Sequence, residues 1–323
     1  MMTRANMITR RAALGLIGAG FALPRAGLAS DLDTLGGNAF GTGWRIAGRD
    51  TPTRLGPAIE VLFARIDAQF SPWRRDSGIS RINAAPAGAQ AVEPEIAQVT
   101  AAALDIARQS EGAFDPTVGP LVAQWGFGPI GGTGAPGWRG IAIAPEGLTK
   151  ARGDLTLDLC GIAKGWALDR AADLARAEGV TDMLLDLGGE FVALGTHPEG
   201  RDWRIAVESP LPAQPPTQAL RLPPGMAVAT SGVRAQSYVL NGRLYSHIID
   251  PETRAPASGR LRSVTVAAGD AMTADAWATA LFAAGDEGGP DLAATRDIAA
   301  LFLFETDDGL RQHRSGAIQD LIL

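Results

Sequence analysis

The chain has 323 residues, 46% of them hydrophobic and 20% charged, and a formal net charge of −6. This composition is typical of a globular protein of one large or two small domains, with ample apolar material for a core. The acidic balance argues against nucleic-acid binding, which needs basic patches to neutralise phosphates. The single cysteine, Cys160, excludes a disulfide within the chain.

The first 29 residues predict an export signal. Their only charged residues are four arginines, and the apolar run at 12–23 is too short to span a bilayer. Gly27 and Ala29 are small residues of the kind that signal peptidase reads, and Arg10-Arg11 followed by Ala-Ala-Leu resembles a twin-arginine signal. We therefore expect residues 1–29 to direct the protein to the periplasm. A frayed amphipathic helix is the alternative.

The mature chain, residues 30–323, is expected to be a single domain. It carries 25 basic and 35 acidic residues, a net charge of −10. No cysteine lies near the predicted cleavage point, which argues against a lipid anchor. No later segment is apolar for long enough to cross a membrane, so we expect no stable membrane insertion.

Apolar periodicity predicts the elements of the mature chain. Helices are predicted at 57–70, from Ser77 or Ser80, at 93–109, after Gly165 and at 271–284. Strands are predicted at 40–47, on both sides of Gly188-Gly189 within 181–195, and at 226–230, 237–240, 243–249 and 261–268, with a proline-rich loop at 209–224. Because these elements lack a regular βαβ rhythm, we expect an α+β fold with largely antiparallel sheets and packed helices.

Residues 157–170, LDLCGIAKGWALDR, predict a strand, a turn at Gly161 and then a helix. The first N–H groups of a helix have no partner within it, so this arrangement often binds an anion. Lys164 would add a positive charge there. The alternative is an ordinary strand-to-helix connection with a solvated lysine.

Two loops carry aromatic residues. Trp73 lies between a proline and two arginines, where it could stack on a ring or instead close the core beside a solvated basic loop. Residues 112–129 are rich in glycine, proline and aromatics, and Asp115 is held extended by the proline that follows it. This loop either approaches a flat ligand or is a structural Ω-loop.

Polar residues of the C-terminal half suggest a reactive site. Helix 271–284 places Asp275 and Thr279 one turn apart, an oxygen pair suited to Mg²⁺ or Ca²⁺ and poorly suited to zinc. The threonine could instead bond within its own helix. His247 ends a strand, where it could be a base, a ligand or a satisfied core histidine. ATSG at 229–232 predicts two hydroxyls at a turn.

Seven segments occur in the order and spacing typical of the ApbE family, the FAD:protein FMN transferases. They are FSPWRRDSGISRIN (70–83), GAFDPTVGPLVAQWGFGP (112–129), LDLCGIAKGWALDRAADL (157–174), LLDLGGEFVALG (184–195), ATSG (229–232), YSHIIDPETRAP (245–256) and MTADAWATALFAAG (272–285). The chain resembles this family over essentially the whole mature region, which implies the α+β fold of the ApbE-like flavin transferases.

The resemblance also implies a binding site for FAD and Mg²⁺. The positions implied to contact FAD are Trp73 against the flavin, Ala113, Phe114 and Asp115 along the cofactor, Asp158 and Lys164 in one loop, and Ile249. The implied magnesium ligands are the carbonyl of Gly161 and the side chains of Asp275 and Thr279, and Asp275 is thereby implied in catalysis. His247 matches the residue proposed as the base for the acceptor hydroxyl.

Two positions depart from the family pattern. Phe40 replaces a methionine that precedes the first Gly-Thr in many members, so the adenine or flavin contact there is expected to differ. Ala278 replaces a carboxylate that some members carry just before the magnesium threonine. We therefore expect the metal to keep more water.

The resemblance implies transfer of FMN from FAD to a threonine or serine hydroxyl of an acceptor protein, with release of AMP. A Mg²⁺-dependent FAD pyrophosphatase and a non-catalytic flavin-binding protein are the alternatives. The implied partner is a flavin-accepting redox protein, either a membrane subunit or a NosR-like regulator of nitrous oxide respiration. The leader makes the chain similar to the NosX-like accessory proteins of nitrous oxide reductase maturation.

Overall fold

A computed structural model describes residues 32–323, and the predicted signal peptide lies outside this range. The helices are α1 Leu55–Phe70, α2 Gly78–Ala84, α3 Pro94–Gln109, α4 Gly119–Gln124, α5 Ala163–Ala177, α6 Ala271–Ala283 and α7 Gly285–Thr295. The strands are β1 Asp33–Ala39, β2 Thr42–Gly48, β3 Gly88–Gln90, β4 Ile141–Ala144, β5 Gly147–Lys150, β6 Met183–Leu187, β7 Glu190–Leu194, β8 Trp203–Val207, β9 Gln218–Leu222, β10 Ala227–Gly232, β11 Ser237–Leu240, β12 Arg243–Ser246, β13 Ile249–Asp250, β14 Ala255–Pro256, β15 Leu261–Ala268, β16 Ala299–Thr306 and β17 Gly309–Ser315.

An eight-stranded antiparallel sheet lies at the centre, in the order β1-β2-β6-β7-β10-β15-β16-β17. Successive side chains of a strand point to opposite faces of its sheet. In β16, Ala300, Phe302 and Phe304 pack into the main core on one face, whereas Leu301 and Leu303 pack into a second cluster on the other. Both faces are therefore buried, which explains the continuous apolar run of this strand.

Different elements cover the two faces. Helix α6 packs against α5, β10 and β15 on the main core side, and ten of its thirteen residues are buried. A helix buried on all sides belongs at the centre of a core, so its few polar residues need partners. The β8–β9 hairpin and a 3₁₀ turn at Gly316–Leu321 cover the other face with Trp203, Leu220 and Ile318.

The predicted α+β fold with antiparallel sheets is confirmed. All strand pairs within the described range are antiparallel. The helices predicted at 57–70, 93–109 and 271–284 agree with α1, α3 and α6 to within two residues at each end. No helix of residues 32–323 is long and apolar enough to cross a membrane.

The strand predicted at the start of residues 157–170 is wrong. The side chain of Asn83 takes the place of a neighbouring strand, because its Nδ2 donates to the carbonyl of Leu157 at 2.9 Å and its Oδ1 accepts from the N–H of Leu157 at 2.6 Å. The N–H of Asp158 then donates to the carbonyl of Pro116 at 2.8 Å. These bonds satisfy an extended backbone without a β-ladder.

Three smaller predictions are also corrected. ATSG at 229–232 lies within β10 and not at a turn, and the predicted strand 243–249 is interrupted at His247 between β12 and β13. The proline-rich loop at 209–224 contains β9, whose Leu220 and Leu222 are fully buried. Their alternation with less buried residues is the strand signal that the nearby prolines conceal.

Candidate active site

The polar residues of α6 face the loop that leads into α5. Asp275 is 5% exposed, and its Oδ2 accepts a hydrogen bond of 3.0 Å from the N–H of Gly165. A Cβ atom on Gly161 would lie 3.0 Å from Thr279 Oγ1 and 3.3 Å from the ring of Phe114. Gly161 in the loop therefore lies beside Thr279, and the first turn of α5 contacts Asp275.

Helices α5 and α6 approach each other closely at this point. A Cβ atom on Gly165 would lie 2.2 Å from the carbonyl oxygen of Ala271, an approach that only glycine allows. Asp169, one turn along α5, accepts from the N–H groups of Ala271 and Met272 at 2.8 and 2.9 Å. Its carboxylate takes up two otherwise unpaired N–H groups at the start of α6 and so fixes the helix that carries Asp275.

A partly buried ion pair lies beside Asp275. Lys164 Nζ is 2.9 Å from Glu190 Oε1. The carboxyl groups of Glu190 and Asp275 lie within hydrogen-bonding reach of each other, and burial raises the pKa of both. Burial acts to lower the pKa of Lys164, but the charges of Glu190 and Asp275 raise it overall. The lysine therefore stays protonated at the start of α5.

Asp115 and Asp158, both predicted to contact FAD, fix the turns of two adjoining loops. Asp115 Oδ1 accepts from the backbone N–H of Thr117 at 2.8 Å and from its hydroxyl, and burial raises the pKa of Asp115. Asp158 Oδ1 accepts from the N–H of Cys160 at 3.1 Å. Ala113 is half-buried at the start of the first loop. Each aspartate thus holds a defined backbone conformation in its own loop.

A backbone contact fixes the tautomer of His247. Its Nδ1 is 2.9 Å from the carbonyl oxygen of Gln236. Because a carbonyl only accepts, this contact places the proton on Nδ1 and leaves the lone pair on Nε2. Burial lowers the pKa of His247, the bond to Gln236 opposes this, and the charge of Lys164 lowers the pKa again. The imidazole is therefore neutral near physiological pH.

Four stacked rings hold the β11–β12 hairpin that precedes His247. Trp125 stacks on Tyr245, Tyr245 on Tyr238 and Tyr238 on Phe127, with centroid separations of 5.5, 5.4 and 5.1 Å. Phe127 and His247 then pack edge to face, with ring centroids 6.3 Å apart. Two aromatics of the 112–129 loop therefore pack on this hairpin and position the histidine.

Three residues predicted to contact the flavin lie in different environments. Trp73 is 61% exposed, so it does not close the core. Phe40 lies in the β1–β2 turn and packs edge to face on Phe63, with ring centroids 5.4 Å apart. Ile249 is buried in β13, two residues after His247.

The donor set of this site fits Mg²⁺. Asp275, Thr279 and the carbonyl of Gly161 offer a carboxylate, a hydroxyl and a carbonyl, which are the hard oxygen ligands that this ion prefers. The hydroxyl of Ser231 is 3.2 Å from that of Thr279 and orients it. No cluster of three or more His, Cys, Asp or Glu side chains within residues 32–323 is arranged to bind a metal. A cation bound here would therefore depend on the mixed oxygen set.

Sequence reasoning missed Glu190 and Asp169. Glu190 follows Gly188-Gly189 at the start of an apolar strand, where a charged residue breaks the pattern. Asp169 is a half-buried acidic residue that directly follows the buried run from Gly165 to Leu168 in α5. A charge within an apolar pattern was the available signal in both cases.

A carboxylate and a hydroxyl of α6, a protonated lysine and a neutral histidine are chemical groups typical of sites that handle phosphate. Residues 40–302 match the ApbE family. An FAD:protein FMN transferase of Vibrio cholerae is 35% identical over 278 residues, which cover 82% of this chain and 83% of that protein. The chain belongs to the ApbE family.

Solved structures agree with the match in sequence. The flavin transferase ApbE from Vibrio cholerae superposes with a TM-score of 0.80 at 33% identity, covering 90% of this chain and 99% of that one. The apo form of the Pseudomonas stutzeri flavinyl transferase ApbE gives a TM-score of 0.80 at 31% identity, covering 90% and 96%. The fold is therefore that of the ApbE flavin transferases.

Proposed function

We propose that this protein transfers FMN from FAD to a threonine or serine hydroxyl of an acceptor protein, in a reaction that depends on Mg²⁺. The observation that carries the proposal is the arrangement of Asp275 and Thr279 against the Gly161 loop, with Lys164 and a neutral His247 beside them. The names of the relatives, FAD:protein FMN transferase, support the same reaction.

In the proposed reaction, the acceptor hydroxyl oxygen forms a bond to the phosphorus of the FMN half of FAD. The bond from that phosphorus to the bridging oxygen breaks, and AMP leaves with the electron pair. His247 accepts the hydroxyl proton at Nε2. Lys164 places a positive charge at the diphosphate and is kept protonated by Glu190 and Asp275.

Asp275, Thr279 and the Gly161 carbonyl would hold the ion. Bound there, Mg²⁺ would supply charge stabilisation at the diphosphate. Asp275 is held by the N–H of Gly165, and Thr279 by the hydroxyl of Ser231. These contacts fix both ligands before substrate arrives, which lowers the cost of ordering them on binding.

The direct test is the intact mass of a candidate acceptor domain after incubation with residues 30–323, FAD and Mg²⁺. We expect the acceptor to gain the mass of one FMN, and we expect His247→Ala and Asp275→Ala to lose that gain. His313→Ala and Asp173→Asn are matched controls, because both residues lie on the surface away from α6. Their products should equal those of the wild type.

Two outcomes contradict the proposal. Free FMN and AMP with an unchanged acceptor mass would indicate a pyrophosphatase that uses water in place of the hydroxyl. The second outcome is a protein that binds FAD but fails to modify an acceptor that a related transferase does modify. That outcome would indicate a flavin-binding protein without transferase activity.

We further propose that the reaction takes place in the periplasm, on a membrane redox subunit or a NosR-like regulator, with a role in nitrous oxide reductase maturation. The leader with Arg10-Arg11 supports export. Cell fractionation should place the protein in the periplasm, and replacing both arginines by lysine should retain it in the cytoplasm. Deleting the gene should leave the predicted acceptor without covalent FMN.

A further inference from the structure

Glu190 is buried, yet only one of its carboxylate oxygens has a partner. The residue is 2% exposed, and Oε1 lies 2.9 Å from Lys164 Nζ. Oε2 is completely buried and has no hydrogen-bond partner within the described part of the chain. Leaving such an oxygen unpaired costs about 1–3 kcal/mol. Either a proton shared with a neighbouring carboxyl group or a bound cation is therefore expected to satisfy it.

The carboxyl group of Glu190 lies next to that of Asp275. The two groups are within hydrogen-bonding reach of each other. Both are acceptors when ionised, and Lys164 is the cation that they share. The two carboxyl groups therefore converge at one buried place, where they can share either a proton or a bound cation.

Helix α6 by itself offers little charge to a cation. Asp275 is its only acidic residue, and position 278 is a fully buried alanine. The second carboxylate reaches the same place from β7, on the sheet face that α6 covers. A divalent ion prefers several oxygen ligands with negative charge among them.

We propose that Glu190 is a further ligand of the divalent cation at Asp275, bound to it directly or through one water. The inference rests on the proposed function, because the cation is the one assigned to the transfer site. Lys164 holds Oε1 and so leaves Oε2 for the ion. The cation then bridges α6 and β7 as well as binding the Gly161 loop.

The competing explanation is that Glu190 is only the counter-ion of Lys164. The variant Glu190→Gln separates the two roles. Its amide oxygen still accepts from Lys164, while its NH₂ group can donate to Asp275, so the metal-free protein should fold with wild-type stability or better. If Glu190 is instead a cation ligand, the same substitution removes both the negative charge and the free oxygen that would bind the ion.

The experiment titrates Mn²⁺ into the FAD-loaded mature protein without acceptor, and follows free Mn²⁺ by electron paramagnetic resonance. Glu190→Gln should weaken Mn²⁺ binding by about tenfold or more. Asp186→Asn is the matched control: Asp186 also faces Lys164 from the same hairpin, but its Oδ1 accepts from the N–H of Gly189. Asp186→Asn should change the Mn²⁺ affinity by no more than about twofold. Glu190→Asp keeps the charge and should recover part of the affinity.

Equal Mn²⁺ affinity of Glu190→Gln and the wild type would overturn the inference, as would a wild type that binds no Mn²⁺. An equal loss in Asp186→Asn would also overturn it, because a general charge effect would then explain the result. The proposed function is tested separately by the acceptor mass. FMN transfer with an unchanged Mn²⁺ affinity in Glu190→Gln rejects only the role of Glu190, whereas Glu190-dependent Mn²⁺ binding without transfer rejects only the reaction.

Discussion

Gly165 on α5 and Asp275 on α6 are in direct contact. The N–H of Gly165 donates to Asp275 Oδ2 at 3.0 Å, and a Cβ atom on Gly165 would lie 2.8 Å from Asp275 Cβ. The glycine therefore sets the distance between the helix that carries Lys164 and the helix that carries the predicted metal ligands. Any side chain at position 165 must change that distance.

Gly165→Ala should destabilise the protein, because the added methyl meets the backbone of Ala271 and not a movable side chain. We expect the free energy of unfolding to fall by about 1–3 kcal/mol in urea denaturation, with weaker Mn²⁺ binding. Gly288→Ala is the matched control in the exposed middle of α7, where the nearest atom to a Cβ is at 3.6 Å. Gly288→Ala should leave the free energy of unfolding unchanged or raise it by up to about 1 kcal/mol. An equal change in the free energy of unfolding for both variants would contradict the close approach at Gly165.

Lys164→Met should reduce both stability and FAD binding. It removes the cation from two buried carboxyl groups. Removing one partner of a buried ion pair costs about 3–5 kcal/mol, and we expect the lower end, about 3 kcal/mol, because 31% of the lysine side chain is exposed to solvent. Lys150, the only other lysine, is the control. Its Nζ donates to the carbonyls of Ile82 and Ala85 at 3.1 and 2.8 Å.

Lys150→Met should therefore lower the free energy of unfolding without changing FAD affinity at a temperature where the protein is folded. Fluorescence quenching of FAD on titration with each variant measures that affinity. Wild-type FAD binding by Lys164→Met would contradict the role of Lys164 at the diphosphate.

His247 should set the acidic limb of the transfer rate. Burial lowers the pKa of this histidine and the charge of Lys164 lowers it further, although Gln236 and Asp158 oppose them. The neutral imidazole therefore persists below the ordinary value of 6.5, and the rate at limiting acceptor should fall only below that pH. A midpoint of the acidic limb above pH 6.5 would contradict the lowered pKa of His247. The residual transfer rate of His247→Ala should show no acidic limb.

Asp169 should make stability depend on pH. Burial raises its pKa to about 6, although the N–H groups of Ala271 and Met272 act to lower it, and Asp270 and Arg170 also face it. Because the folded-state pKa lies above the ordinary 3.8, the protonated form favours the fold. This contribution is complete below about pH 4 and is lost as the pH rises through about 6.

Asp169→Asn cannot ionise and provides the reference. We expect the wild type to lose on the order of 3 kcal/mol relative to this variant between about pH 4 and pH 7, measured by urea denaturation. A difference that does not change with pH, or that changes in favour of the wild type as the pH rises, would contradict the raised pKa.

Local signals were sufficient for the parts of the site that lie on one element. Asp275 and Thr279 were predicted as a pair because a helix places residues four apart on one face. The antiparallel character of the sheet followed from the absence of a βαβ rhythm. Both features depend on short stretches of sequence.

Contacts between distant segments explain what was missed. The extended segment at Leu157 has the composition of a strand, but the side chain of Asn83, 74 residues earlier, occupies the place of its neighbour. Glu190 meets Lys164 only because β7 and α5 pack together. The stacking of Trp125 on Tyr245 likewise joins a loop to a distant hairpin. Periodicity carries no information about such pairings.

The dispersal of the site along the chain has a consequence for biosynthesis. Gly165 and Asp275 are 110 residues apart, and strands β6, β7, β10 and β15 lie between them in sequence. A ribosome-bound chain that ends before α6 lacks Asp275 and Thr279 and cannot form the proposed site. The proposed site can therefore assemble only late in synthesis, after six of the eight strands of the central sheet have been made.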